Sequence, residues 1–117
     1  YPVRSLLMTQ ATLSAKLRII QPSGHINASN AVEFKSQLTE AVVAGEDSAL
    51  LVDMHQLESL DSAGLMALIH ALKLARRLER RFGLCSVAPS IRIMLELTKL
   101  DGVFEIFESH EAFATAL

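Results

Sequence analysis

A chain of 117 residues, half of them hydrophobic and 21% charged, is long enough to bury one substantial core, so a single globular domain is expected. Its formal net charge of -2 supplies no field that would draw it to nucleic acid or to an anionic membrane, so partners must be recognised through a local surface. The mean hydropathy of +0.32 points to a well-filled core, because the longest apolar runs are only a few residues and far short of a membrane span.

The chain opens Tyr1-Pro2-Val3-Arg4, with no initiator methionine and no apolar stretch followed by small residues of the kind a signal peptide needs. Residues 1–15 are expected to be an N-terminal extension, with Met8 the natural start and vector-derived residues before it; a fragment of a longer protein is equally compatible. The domain is expected over 16–117. Residues 16–22, Lys-Leu-Arg-Ile-Ile-Gln-Pro, are rich in branched side chains and end on a proline, the pattern of a strand leaving its ladder, with a loop at Ser23-Gly24. Asn30 precedes Glu33 at capping-box spacing, and Ala31, Phe34, Leu38, Ala41 and Val42 recur at helical intervals until Gly45.

Ala49-Leu50-Leu51-Val52-Asp53 is a short apolar run, predicting a parallel strand covered on both faces. A connection from Met54 leads to Asp61-Ser62. Leu65, Leu68, Ile69, Leu72, Ala75 and Phe82 then form one face of a long helix ended by Gly83. Leu84-Cys85-Ser86-Val87-Ala88 reads as a strand, and Pro89-Ser90 as a turn and cap for a helix over about 91–100, closed by Asp101-Gly102. Residues 104–107 suit an edge strand, and Ser109 suits the cap of a last helix through Glu111, Phe113 and Leu117. The alternation predicts an α/β domain with a mixed, largely parallel sheet of four to five strands covered by about four helices.

Ser62 falls where a loop meets a helix and is predicted as its N-cap, a role that by itself accounts for a serine there. The place also suits a phosphate, because a helix N-terminus offers free N–H groups and the positive end of its dipole. Small neighbours at Ala63 and Gly64 would leave the hydroxyl open to a kinase.

The segment Ser59-Leu60-Asp61-Ser62-Ala63-Gly64-Leu65 resembles the phosphorylation segment of STAS-domain anti-sigma-factor antagonists. Gly24-His25-Ile26-Asn27 stands where that family carries Gly-x-Leu-Asp, residues 49–53 match its central strand, and Pro89-Ser90-Ile91 through Gly102-Val103-Phe104 resembles its C-terminal half. Several matched segments in one order are more specific than the short motif alone.

The resemblance implies a STAS fold and a non-enzymatic partner-switching module without a cofactor. The unmodified antagonist binds an anti-sigma factor that is also a serine kinase, is released on phosphorylation, and is reset by a metal-dependent serine phosphatase. Ser62 is carried over as the phosphoacceptor, with Asn27, Asp61, Ala63, Gly64, Leu65 and Met66 as its neighbourhood and partner-binding surface. Asn27 departs from the family aspartate, keeping hydrogen-bonding capacity but removing a negative charge; as a turn or cap residue it needs no functional account. The alternative is a STAS regulatory or scaffolding domain of a larger signalling or transport protein.

An enzyme with Ser62 as nucleophile finds little support, since the sequence has no G-x-S-x-G elbow, no phosphate-binding glycine loop and no assignable base. Lys73, Arg76, Arg77 and Arg80 recur at helical spacing and read first as a solvated face, then as a docking stripe for an acidic partner. Five Phe, one Tyr and no Trp offer little stacking for nucleic acid. His25, His55, His70 and His110 are dispersed without paired ligand spacing, so no metal site is expected, and Cys85 reads as an inert core residue. A single cysteine gives no sign of an oxidising compartment, and cytoplasm is the expected location. Along the helix from Ile91, one apolar stripe (Ile91, Met94, Leu95) should face the sheet, and a second (Ile93, Leu97, Leu100) should pack on the last helix or meet a partner.

Overall fold

The computed structural model describes residues 17–44 and 49–117. The expected strand start at Lys16, the helix end at Gly45 and the extension over 1–15 lie outside them. The elements run β1 (Leu17–Ile20), β2 (Gly24–Ile26), α1 (Ala31–Val43), β3 (Ala49–Asp53), β4 (Leu57–Leu60), α2 (Ser62–Arg77), β5 (Arg81–Cys85), α3 (Pro89–Leu97), β6 (Glu105–Phe107) and α4 (His110–Ala116). Among the described residues, four strands, all parallel, form a sheet in the order β1-β3-β5-β6, and β2 pairs with β4, also parallel, as a separate ribbon. The architecture is the expected α/β one.

Strand alternation divides the core in two. Leu50, Val52, Phe82 and Leu84 point to the face that α1, α2 and α3 cover, whereas Ala49, Leu51 and Cys85 gather around Phe113 of α4 on the other. With partners on both edges and helices over both faces, β3 has every residue buried, which is why it reads as an unbroken apolar run. The α1 positions Ala31, Phe34, Leu38, Ala41 and Val42 are all buried, as their spacing predicts.

Several boundaries differ from the sequence reading. The ribbon β2–β4 occupies what reads as two loops, because its strands are three and four residues long and expose His25, Glu58 and Ser59. Helix α2 stops at Arg77, so Phe82 and Gly83 belong to β5, and Arg80 of the basic stripe lies beyond the helix. The stop is a Schellman motif: Arg80 N–H donates to the Ala75 carbonyl (2.8 Å) and Glu79 N–H to that of Arg76 (3.1 Å), with Glu79 at φ 59° where glycine is usual. Helix α3 starts at Pro89, with Ala88 rather than Ser90 at the cap, and ends through the same device at Lys99, φ 61°. Its second stripe does not pack on α4, which lies on the other face of the sheet: Ile93 and Leu97 are exposed, while Leu100 joins the main core. Ser109 caps α4 as expected, its Oγ accepting from Ala112 N–H at 3.1 Å.

Gly83 permits the α4 face to close. A Cβ there would stand 2.5 Å from the ring of Phe113, which is fully buried and packs edge-on against Phe107. Gly83→Ala is expected to cost about 1–3 kcal/mol by overpacking, read as a lower denaturation midpoint at unchanged m-value.

Asp53, at the end of β3, is the only buried charged side chain among the described residues. Its Oδ2 faces His110 Nε2 at 2.6 Å and accepts from Gln21 Nε2 at 2.8 Å, while Oδ1 accepts from His55 N–H at 3.1 Å. Burial alone would raise the carboxyl, but the bonds from His110, His55 and Gln21 outweigh it and hold Asp53 down at about 2, against 3.8 for a free side chain. An unfolded chain therefore takes up this proton more readily than the folded one. The stabilisation, about 2 kcal/mol, is complete above the unfolded value and lost as pH falls through the folded one. Urea midpoints should drop between about pH 4 and pH 2 in the wild type, and Asp53→Asn should flatten that dependence.

Candidate functional site

The site grows from the end of the β2–β4 ribbon. Ile26 and Leu60 are register partners, both buried, and Asp61 N–H donates to the Ile26 carbonyl at 3.0 Å, carrying the ladder one step further. Asn27 and Asp61 therefore leave the ribbon at the same end. From there the chain turns directly into α2, with Asp61, not Ser62, as its N-cap: Asp61 Oδ1 accepts from Gly64 N–H at 3.1 Å. Ser62 is the first helical residue, and its side chain is exposed. With Asp61 filling the cap, the serine hydroxyl is released from that duty, and the start of α2 still presents N–H groups and its positive dipole end to an anion.

Gly64 has another role than leaving the serine accessible. It is buried, and a Cβ at this position would strike the Leu60 side chain and come within 2.7 Å of Ile26 Cγ2. The bare backbone lets the first turn of α2 lie directly on the ribbon. Leu65 points into the core, whereas Met66 is 62% exposed.

Asn27 organises the turn into α1. Its Oδ1 accepts from both Ser29 N–H (2.9 Å) and Ser29 Oγ (2.5 Å), and its own N–H donates to Asn30 Oδ1 at 2.8 Å. Asn30 holds the N-cap position of α1 without capping it, because its amide is turned back to the loop, donating to the His25 carbonyl at 2.9 Å. The expected capping box is thus replaced by a turn network.

Sequence reading does not anticipate the groove between α1 and α2. It has a volume of about 340 Å³, and its walls include Ala31, Val32 and Lys35 from α1 and Ala63, Met66 and His70 from α2. Val32 is 80% exposed, so two apolar side chains from separate helices stand open to solvent beside the first turn of α2. On the basic stripe, Arg76 Nη2 is engaged with the Val103 carbonyl at 3.0 Å, while Lys73 and Arg77 are exposed.

Known proteins share this fold. The family model described as STAS domain matches residues 8–113. BtrV of Bordetella bronchiseptica, named as a candidate anti-sigma factor antagonist, is 30% identical over 93 residues, spanning 80% of this chain and 79% of that protein. The crystal structure of an anti-sigma factor antagonist from Mycobacterium paratuberculosis superposes with a TM-score of 0.76 at 29% identity, over 86% of this chain and 85% of that one. A Thermotoga maritima structure shares the fold, with a TM-score of 0.76 at 24% identity over 82% of each chain. With the match extending over nearly the whole sequence, the chain belongs to the STAS domain family.

Proposed function

We propose that this protein is an anti-sigma-factor antagonist that works as a partner-switching module over residues 16–117, in the cytoplasm and without catalytic activity of its own. It binds an anti-sigma factor with serine kinase activity while Ser62 is unmodified, is released once Ser62 is phosphorylated, and is reset by a metal-dependent serine phosphatase. The observation that carries this reading is the exposed Ser62 at the first position of α2, with Ala63 next to it and Met66 about one turn further on forming one wall of an open, largely apolar groove. Support also comes from the relatives named for antagonism of anti-sigma factors.

The physical basis of the switch is a difference between two environments. In water, a phosphate on Ser62 gains from the helix dipole and N–H groups, so the fold tolerates it. Against a partner covering the groove, the same charge must be desolvated. Ser62→Ala should bind the kinase partner but escape release, while Ser62→Asp and phosphorylated protein should bind about a hundredfold more weakly with melting temperatures within a few degrees of wild type. Calorimetric titration and thermal unfolding of the four forms decide it; equal affinities would remove the switch, and a large loss of stability would remove this mechanism.

Asn27→Asp tests the neighbourhood. A carboxylate accepts the same two bonds from Ser29, so the turn should persist, but a negative charge leaving the ribbon at the same end as Asp61 should oppose an incoming phosphate, by about 1 kcal/mol or about fivefold were the two charges about 4 Å apart in water. Slower phosphorylation of Ser62 with an unchanged melting temperature is expected from a kinase assay read by mass spectrometry.

A further inference from the structure

We propose that Asp53, Cys85 and His110 form a binding site for one zinc-class divalent transition-metal ion, on the α4 face of the sheet and separate from Ser62. Asp53 and Cys85 end adjacent strands as register partners, and His110 opens α4 above them. One carboxylate oxygen, the thiol sulfur and one imidazole nitrogen all lie within 4.8 Å of one another. A tetrahedral zinc site with bonds of about 2.0–2.3 Å spaces its ligand atoms by roughly 3.3–3.8 Å, so the cluster is already near that size. The 2.6 Å contact between Asp53 and His110 needs to widen by under about 1 Å, and any spacing to the Cys85 sulfur near the 4.8 Å bound to close by about as much.

The donor set selects the class of ion. One sulfur, one nitrogen and one oxygen suit borderline-soft zinc or cobalt, whereas magnesium and calcium require oxygen cages. The surroundings match those of metal ligands: Gln21 Nε2 and His55 N–H each donate to the Asp53 carboxylate and fix its orientation. Cys85 and Asp53 are buried, while the His110 side chain is 40% exposed, which leaves an entry path and a fourth position for water on the solvent side. His55 Nδ1 stands 3.5 Å from Oδ1, the oxygen that His110 does not face, and so lies on the carboxylate's other side. Binding replaces the thiol proton of Cys85 with a sulfur–metal bond and releases that proton to solvent, so affinity should rise with pH. The ion would tie together the ends of β3 and β5 and the start of α4, three segments distant in sequence.

The test uses the untagged full chain, stripped with a chelator and titrated with zinc chloride or cobalt chloride. Expected are one ion per chain, a thiolate-to-cobalt charge-transfer band in the near ultraviolet with the intense visible bands of four-coordinate cobalt, and a higher melting temperature with zinc. Cys85→Ser should abolish the charge-transfer band, and Cys85→Ser and His110→Gln should each weaken zinc binding at least about tenfold, while His25→Gln, at the far ribbon, should leave it unchanged. Absence of saturable binding by the wild-type chain overturns the proposal without recourse to any variant. So does a cobalt complex lacking the charge-transfer band, or zinc affinity that survives Cys85→Ser or depends on His25.

Discussion

Asp61 joins the end of one element to the start of the next, and the geometry around Ser62 follows from it. Its N–H closes the last rung of the β2–β4 ribbon on Ile26, its side chain caps Gly64 N–H, and its carbonyl receives the Leu65 N–H at 2.9 Å, the first intrahelical bond of α2. Three bonds on one residue leave no flexible linker between strand and helix. The bare Gly64 makes the junction possible, since a side chain there would collide with Ile26 and Leu60, the last register pair of the ribbon. Ser62 is consequently held by backbone geometry, at the end of the ribbon where Asn27 also leaves it.

What could be read from the sequence follows the length and periodicity of each element. Helix α1 and strand β3 were legible because five buried positions at helical spacing and five consecutive buried residues are strong patterns. The ribbon strands are too short and too polar on one side to stand out. The end of α2 was misplaced because glycine is the usual left-handed terminator, whereas here Glu79 takes that conformation and Gly83 serves close packing under Phe113. At the site, the Asp61–Gly64 segment was legible because it is local. The groove was not, since Val32 and Met66 meet only when α1 and α2 are laid side by side.

Histidines dispersed along the chain conceal a cluster in the fold. His55 and His110 are far apart in the chain, yet a parallel sheet delivers the C-terminal ends of its strands to one edge, where the loops that follow and the start of α4 converge. Asp53 is the centre of that convergence. Its carboxylate would be costly to bury alone, and three donors from β1's outgoing loop, the β3–β4 connection and α4 make burial tolerable. The cluster thus anchors α4, which among the described residues is the only helix on its face of the sheet.

The two polar centres sit in different layers of the fold, and this separation has a consequence for the proposed switch. Asp53 and its partners lie on the α4 face, whereas Ser62 and the groove belong to the α1–α2 layer on the other side of the sheet. Asp53 ends β3, a strand fully buried and paired on both edges, which has little freedom to move. A charge added at Ser62 meets a capped helix start already packed on a ribbon, so little in the free protein can rearrange to absorb it. In the proposed switch its effect would fall where the surroundings can still change, at the open groove beside Ala63 and Met66, whose apolar walls a partner docking there would dehydrate. A rigid domain with one adaptable boundary would turn a local charge into a difference in binding rather than a difference in fold.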